Sequence, residues 1–312
     1  MSGSHESAVL MHGKPVAEEI QSRLREEVPE FIEKYKTGPN LGIVQVGYSA
    51  ASERYIKKKI EACAKLGMKA ELRLFPEDID ADSLKHEITK LSDSPEFHGI
   101  LVQLPLPRHI EEHESAKTNK FDIFDAIAAE KDVDGVGRDS IATLYRAQGN
   151  RIRFLAGTAL AVRRMISHYG IKTQGKLAVV VGRNDITAKP ILHMLGGRMC
   201  NAAAIWCHRY VSKADQERLI RSADILVTAV GAESYSITKE MVKPGVVIFD
   251  VATRIDEHGK MHGDVKRDVA SVASYMTPVP GGVGPVTVAA LTENVFRAAK
   301  FACGAAKPGY KF

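Results

Sequence analysis

KLAVVVGRNDITAKPILHML, residues 176–195, runs a strand into a turn and the turn into a helix. Lys176–Val181 is almost entirely apolar and rich in valine, the pattern of a strand covered on both faces, as in a parallel sheet. Gly182 ends it, a polar turn from Arg183 to Thr187 follows, and a helix with Pro190 continues through Leu195. In that context backbone N–H groups at the start of a helix face whatever lies over the strand's tip, which is how phosphate-binding turns work. Only the first glycine of G-x-G-x-x-G is present, so the order of the surrounding elements carries the reading. Ala202–Cys207 is the next strand, Ser212–Ser222 a helix, Ile225–Val230 a strand ending at Gly231, and Val246–Val251 a strand ending in Asp250, with a turn at Gly263–Asp264. This repeated βα order is that of a Rossmann-like dinucleotide-binding unit, with glycines where such sheets bind ligands.

The first half alternates in the same way. Val16, Ile20, Leu24, Val28 and Ile32 recur at helical spacing over Pro15–Tyr35. LGIVQV (Leu41–Val46), Lys69–Leu74 and GILVQL (Gly99–Leu104) read as strands, separated by helices over Ser49–Gly67, with Ser52 as N-cap, and Ser83–Leu91. His109–Glu130 reads as irregular, Phe154–Gly170 as a helical connector, and the first eight residues as a loose tail. The expected fold class is therefore α/β with two domains: an N-terminal α/β catalytic domain (1–153 plus 285–312) and a Rossmann-like dinucleotide-binding domain (154–284), with a cleft between them.

The chain has 312 residues, 45% hydrophobic and 26% charged, which suits two globular cores. Its net charge of +5 is spread out, and the densest cluster, Lys57–Lys58–Lys59, is too short for a nucleic-acid stripe. A mild positive balance tolerates anionic small molecules. No apolar run is long enough to span a bilayer and no signal-like segment opens the chain, so no membrane partner is expected. Cys63, Cys200, Cys207 and Cys303 lack C-x-x-C spacing and read as reduced thiols in a cytoplasmic protein. Cys207–His208 lacks further ligands at zinc-site spacing, so no metal is expected.

Several side chains are suited to chemistry. Tyr55 and Lys59 stand four apart on one helix face, where an ammonium beside a phenol makes an acid–base and electrostatic pair, or an ordinary surface pair. Gln103 ends the GILVQL strand, and its amide can donate and accept. Asp134 in KDVDG can pair with the N–H edge of a heterocycle, much as it would with guanidinium. Asp132 and Lys131 read as structural turn residues. At the tip of the second strand of the nucleotide unit, Cys207-His208-Arg209 has no acid to hold the ribose hydroxyls of NAD. Arg183 and Arg209 either flank a ribose phosphate, which favours NADP, or are two solvated surface cations. MTPVPGGVGPVTVAAL (Met276–Leu291) is a rigid Gly/Pro loop, suited to lie against a flat ligand or serving as a turn, that launches a helix with Pro285 at its first position and a buried face of Val288, Leu291 and Val295.

YIKKK at Tyr55–Lys59, HGILVQLPLP at His98–Pro107, KDVDG at Lys131–Gly135, VVVGR at Val179–Arg183 and TPVPGGVGPVTVAAL at Thr277–Leu291 occur in one order. Together they resemble the bifunctional methylenetetrahydrofolate dehydrogenase/methenyltetrahydrofolate cyclohydrolase family over nearly the whole chain. The resemblance implies oxidation of methylenetetrahydrofolate with NADP, then hydrolysis of the methenyl cation to formyltetrahydrofolate. It implies catalytic roles for Lys59, Tyr55, Gln103 and Asp134, with Lys59 central to hydrolysis, Tyr55 framing the folate, Gln103 tuning the lysine and Asp134 anchoring the pterin. Pro280, Gly281 and Gly282 are implied to join Tyr55, Gln103 and Asp134 in binding substrate. Gly182, Arg183, Asn184, Ile186, His208, Arg209, Gly231 and Thr287 are implied to bind the cofactor. A homodimer formed through the nucleotide-binding domains is implied too. On this placement Gly282→Val is expected to impair turnover more than folding.

The sequence departs from the family pattern where GRS-x-x-VG becomes GRNDITAKP, so Asn184 replaces serine and Ala188 the second glycine. The Ala188 methyl is expected to crowd the cofactor's approach. PCTP becomes Ala156-Gly157-Thr158-Ala159, Arg209 replaces the serine after Cys-His, and the connection through Lys117–Phe124 is longer. These changes carry an alternative: mainly a cyclohydrolase whose dehydrogenase half is weakened or uses NAD. A non-catalytic folate- or nucleotide-binding protein fits the Tyr55–Lys59 pair poorly. The sequence contains no G-x-x-x-x-G-K-[ST] run, so a formate-activating synthetase activity is not expected.

Overall fold

The computed structural model describes residues 7–111, 120–146, 152–307 and 309–310. Strand β1 (Val9–Leu10) leads into α1 (Gly13–Tyr35), which ends where Lys36 turns left-handed and its N–H reaches back to the Ile32 carbonyl. The apolar run of β2 (Asn40–Val46) is buried along its whole length, because parallel partners flank it on both edges and helices cover its faces. Helix α2 (Ala50–Ala64) begins at Ser49, not Ser52: the Ser49 hydroxyl accepts from the Ser52 N–H at 3.4 Å, and Glu53 sits in the positive first turn. Strand β3 (Lys69–Phe75), helix α3 (Ala81–Asp93), capped by Asp80 at the Ser83 N–H, and β4 (Gly99–Val102) complete a three-stranded parallel sheet in the order β3-β2-β4.

After β4 the stretch expected to be irregular holds two short helices, α4 (Arg108–Glu111) and α5 (Lys120–Asp125). Part of the long Lys117–Phe124 connection lies outside the described residues. KDVDG then runs beside β4, with Ile100 bridged to Asp132, and α6 (Arg138–Tyr145) follows, a helix the sequence reading did not anticipate. The Asp132 carboxylate is what shapes this turn. It is buried and accepts from the Val136 and Gly137 N–H groups and the Ser140 hydroxyl at 2.6–3.2 Å.

Helix α7 (Gly157–His168) is the connector. Beyond it come β5 (Leu177–Val181), α8 (Ala188–Gly196), β6 (Ala203–Cys207), α9 (Lys213–Ser222), β7 (Ile225–Thr228), β8 (Val247–Asp250), a small antiparallel pair β9 (Arg254–Ile255) and β10 (Met261–His262), β11 (Tyr275–Met276) and α10 (Val283–Ala302). The second sheet is six-stranded and parallel, in the order β1-β11-β8-β7-β5-β6. The start of the chain is therefore not all a loose tail. Residues 1–6 lie outside the described residues, but Ala8 is buried with its N–H on the Ala270 carbonyl, and β1 pairs with β11.

One apolar core runs through both layers. It takes Val16, Leu24 and Phe31 of α1, Leu41 and Ile43 of β2, Leu160 and Met165 of α7, Val180 of β5 and Val286, Leu291 and Phe296 of α10. Helix α10 has no single buried stripe. It packs on α1, α2 and α7, and even Thr292, Glu293 and Asn294 are buried in it. Pro285 is its third residue, still within the first turn, where no N–H is required.

Candidate active site

Helix α2 presents Lys59 toward the tip of β4. The Lys59 Nζ donates to Gln103 Oε1 at 2.9 Å, and the Gln103 amide nitrogen donates to the Leu104 carbonyl at 2.6 Å, so the amide cannot turn away from the lysine. Burial pushes the Lys59 ammonium below the usual lysine range, and the negative Asp134 draws it back up. Asp134 mirrors this: burial raises its carboxyl and Lys59 lowers it. An ammonium with one neutral acceptor and one nearby carboxylate, in low dielectric, is poised to give up and recover a proton. Tyr55 lies one turn earlier on α2, its ring 42% exposed and free to meet a ligand, with the Lys58 ammonium 5.8 Å from its centroid.

Thr287 and Gly157 complete this side. A Cβ built on Gly157 would stand 3.5 Å from Asp134 Oδ1 and 3.6 Å from the Thr287 methyl, so the first turns of α7 and α10 converge on the carboxylate. Thr287, grouped with the cofactor residues in the sequence, borders Gly157 as Asp134 does. The loop before α10 is one turn away. Pro280 and Gly281 are exposed, with Gly281 at φ 102°, whereas Gly282 is buried. Added to Gly282, a Cβ would meet the Pro278 carbonyl oxygen at 2.6 Å and the Thr277 Cβ at 2.9 Å. Gly282→Val is therefore expected to cost folding stability as well as turnover, because the space is filled by the Pro278 backbone and the Thr277 side chain.

The second constellation lies at the tips of β5 and β6. Gly182 has φ 142°, and a Cβ there would fall 2.7 Å from the Ala229 carbonyl oxygen, so only glycine fits. Asn184 Oδ1 accepts from the N–H groups of Ile186 and Thr187 at 2.8 and 3.0 Å, closing the turn into α8. The Ala188 methyl, expected to crowd the turn, is fully buried in the core instead. Ile186 packs against the apolar cluster of the first sheet that includes Val102, Leu106 and Val136, so this turn also touches the other domain. Arg183 and Arg209 are brought together by a residue the sequence reading passed over. Their guanidinium carbons lie 5.0 and 5.1 Å from the Tyr210 ring centroid, and Arg209 also donates to its hydroxyl at 3.2 Å. The same two cations, Arg209 foremost, hold the Tyr210 hydroxyl below the usual tyrosine range. His208 accepts from the Tyr210 N–H at 3.3 Å and stacks edge-on with Trp206, whose indole N–H donates to the Gly182 carbonyl at 2.5 Å. At the tip of β7, Gly231 has φ 67°, and its N–H and that of Val230 are both held by Asp264. Tyr210 follows Arg209 directly and Trp206 is the single tryptophan, but nothing local in the sequence says where their rings point.

A parallel sheet with a glycine-tipped strand, two arginines at adjacent strand tips, and a lysine–glutamine–aspartate group on a second α/β layer define a two-domain, dinucleotide-dependent class of enzyme. Residues 11–134 match the tetrahydrofolate dehydrogenase/cyclohydrolase catalytic domain, and residues 156–303 match the NAD(P)-binding domain of the same family. The chain belongs to the tetrahydrofolate dehydrogenase/cyclohydrolase family. It is 39% identical over 294 residues to the bifunctional protein FolD of Wolinella succinogenes, covering 93% of this chain and 96% of that one. The crystal structure of the bifunctional FolD enzyme from Campylobacter jejuni superposes with a TM-score of 0.85 at 34% identity, over 95% of this chain and 99% of that one. The Trypanosoma brucei methylenetetrahydrofolate dehydrogenase-cyclohydrolase, solved with NADP and an inhibitor, gives a TM-score of 0.85 at 31% identity, over 96% and 99%. No helix among the described residues is long and apolar enough to cross a membrane.

Proposed function

We propose that this chain oxidises methylenetetrahydrofolate to methenyltetrahydrofolate with NADP and then hydrolyses it to formyltetrahydrofolate, serving one-carbon folate metabolism. The observation that carries the reading is the Lys59–Gln103–Asp134 group inside a chain that aligns over 93% of its length with a bifunctional relative. NADP, when bound, supplies the hydride acceptor. The chain's own residues do the rest. Asp134 holds the pterin's N–H edge, and Tyr55 offers its exposed ring to the folate's flat surface. Gln103 fixes the lysine's direction. Lys59, with its proton held loosely by burial, takes a proton from the water that adds to the methenyl carbon and returns one to the ring nitrogen as the C–N bond opens. Pro280, Gly281 and Gly282 wall the site beside Thr287.

On the cofactor side, Gly182, Asn184 and Ile186 form the turn that receives the pyrophosphate, with Gly231 at the neighbouring strand tip. His208, Arg183 and Arg209 surround the place of the ribose 2′-phosphate, where two cations gathered on one ring suit a dianion and the strand tip Cys207-His208-Arg209 carries no acid. This geometry favours NADP over NAD. The buried Ala188 methyl removes one of the two reasons for a weakened dehydrogenase half, and Asn184 acts as the turn's internal cap. The division at residues 153 and 284, a homodimer and a cytoplasmic location belong to the same reading, the last supported by free thiols at all four cysteines.

The test is turnover of methylenetetrahydrofolate with NADP and with NAD, read at both the methenyl and the formyl product, in wild type and Lys59→Ala. Wild type is expected to make both products and to prefer NADP. Lys59→Ala is expected to lose the hydrolytic step by at least about a hundredfold while still binding NADP. Full hydrolysis by Lys59→Ala would sink the assignment.

A further inference from the structure

We propose that Tyr310 and Asn294 form a latch that positions Asp134, making Tyr310 a positioning residue for the folate site. Asn294 is fully buried in the middle of α10, and all of its amide is used. Its Nδ2 donates to the Val133 carbonyl at 2.8 Å and to the Leu155 carbonyl at 3.2 Å, and its Oδ1 accepts from the Tyr310 hydroxyl at 2.6 Å. The same hydroxyl accepts from the Leu155 N–H at 3.0 Å. One phenol therefore joins α10 to the segment just ahead of α7. Through Asn294 it reaches the peptide immediately before Asp134.

The connector in turn presses on the carboxylate's loop. A Cβ on Gly135 would fall 2.6 Å from the Ala156 nitrogen, and Gly157 stands against Asp134 Oδ1. Residues 133–135 are thus gripped between Asn294 on one side and 155–157 on the other, and Tyr310 binds both grips. The segment that delivers Tyr310 is itself held. The Gly309 N–H donates to the Ile152 carbonyl at 3.0 Å, and Arg297 donates to the Gly309 and Arg153 carbonyls while its guanidinium lies 4.3 Å from the Tyr310 ring centroid. Burial raises the Tyr310 hydroxyl above the usual tyrosine range, keeping it the neutral donor that Asn294 Oδ1 requires.

A buried polar network in which every atom is paired fixes one geometry, and removing one member leaves the partners unsatisfied. Asp134 also draws the Lys59 proton upward, so a loosened Asp134 has a readable electrostatic consequence. The proposal rests on the folate-enzyme reading above. Its test is Tyr310→Phe, which keeps the ring beneath Arg297 and removes only the hydroxyl, with Arg297→Lys as a second variant that weakens the hold on residue 309. Val269→Ala, in a core cluster that contains neither Asn294 nor Asp134, serves as a stability control. Tyr310→Phe is expected to raise KM for methylenetetrahydrofolate about three- to tenfold, leave KM for NADP unchanged, and move the rising limb of the hydrolysis pH profile to lower pH. Arg297→Lys is expected to move the same quantities in the same direction by less. Unshifted folate KM and pH limb in both variants, or the same shifts in Val269→Ala, would overturn the latch. A wild-type enzyme that turns over no methylenetetrahydrofolate would instead overturn the functional reading.

Discussion

In the proposed function Lys59 is the residue on which hydrolysis turns, and its neighbours set its proton affinity in opposite directions. Burial disfavours the ammonium and Asp134 favours it. If the neutral amine takes the proton of the attacking water, the hydrolysis rate rises as pH passes through the Lys59 pKa. Asp134→Asn removes the stabilising carboxylate, the ammonium becomes a stronger acid, and the limb moves to lower pH. The maximal rate is expected to fall as well, because Asp134 is the pterin's anchor in the proposed function. A limb at the wild-type position would show that Asp134 does not act on Lys59 electrostatically. The YIKKK spacing was enough to put Tyr55 and Lys59 on one helix face. Nothing local announced that Gln103, 44 residues away, would accept the lysine's proton-bearing edge.

Among the elements, the loop before α10 changed most between sequence and structure. Its glycines suggested open backbone for a ligand, and Gly281, with nothing near its Cβ position, fits that description. Gly282 does not. Gly282→Val forces a branched side chain into the Pro278 carbonyl, at a cost of at least about 2–3 kcal/mol for overpacking. The midpoint of thermal unfolding is expected to fall by roughly 5 °C or more, and a wild-type midpoint would contradict the crowding. Helix α10 was expected to bury one face through Val288, Leu291 and Val295, and its burial extends well beyond that face. It is enclosed by α1, α2 and α7, and its polar residues survive burial by being paired: Glu293 receives Arg23 at 2.7 Å and also Arg164, and Asn294 receives Tyr310. A hydrophobic stripe reports the least burial a helix needs, and polar residues with distant partners conceal the rest.

For the whole molecule, the continuity of the core matters more than the count of domains. Apolar residues of α1, β2, α7, β5 and α10 belong to one cluster, and Ile186 ties the turn after β5 to the first sheet. A core shared in this way couples the two sheets, so calorimetry is expected to give a single unfolding transition whose calorimetric and van't Hoff enthalpies agree. Two resolved transitions would mean that the sheets unfold separately. Local pattern was sufficient for the strand–helix alternation, the parallel sheets and the glycine-tipped turn, since periodicity and turn chemistry are properties of neighbours along the chain. Extremely short elements escaped it, as with β1, because two residues carry no period and pair only with a distant strand. The KDVDG turn was also readable, with Asp132 structural, because its hydrogen-bond partners lie within eight residues. What long-range packing alone decided was which groups face one another: Arg183 and Arg209 both within about 5 Å of the Tyr210 ring centre, Asp134 beside Lys59, and Tyr310 bonded to a peptide 155 residues earlier. Those pairings depend on how the two sheets and the central helix are stacked, and a one-dimensional pattern holds no record of that stacking until the apolar surfaces have found each other.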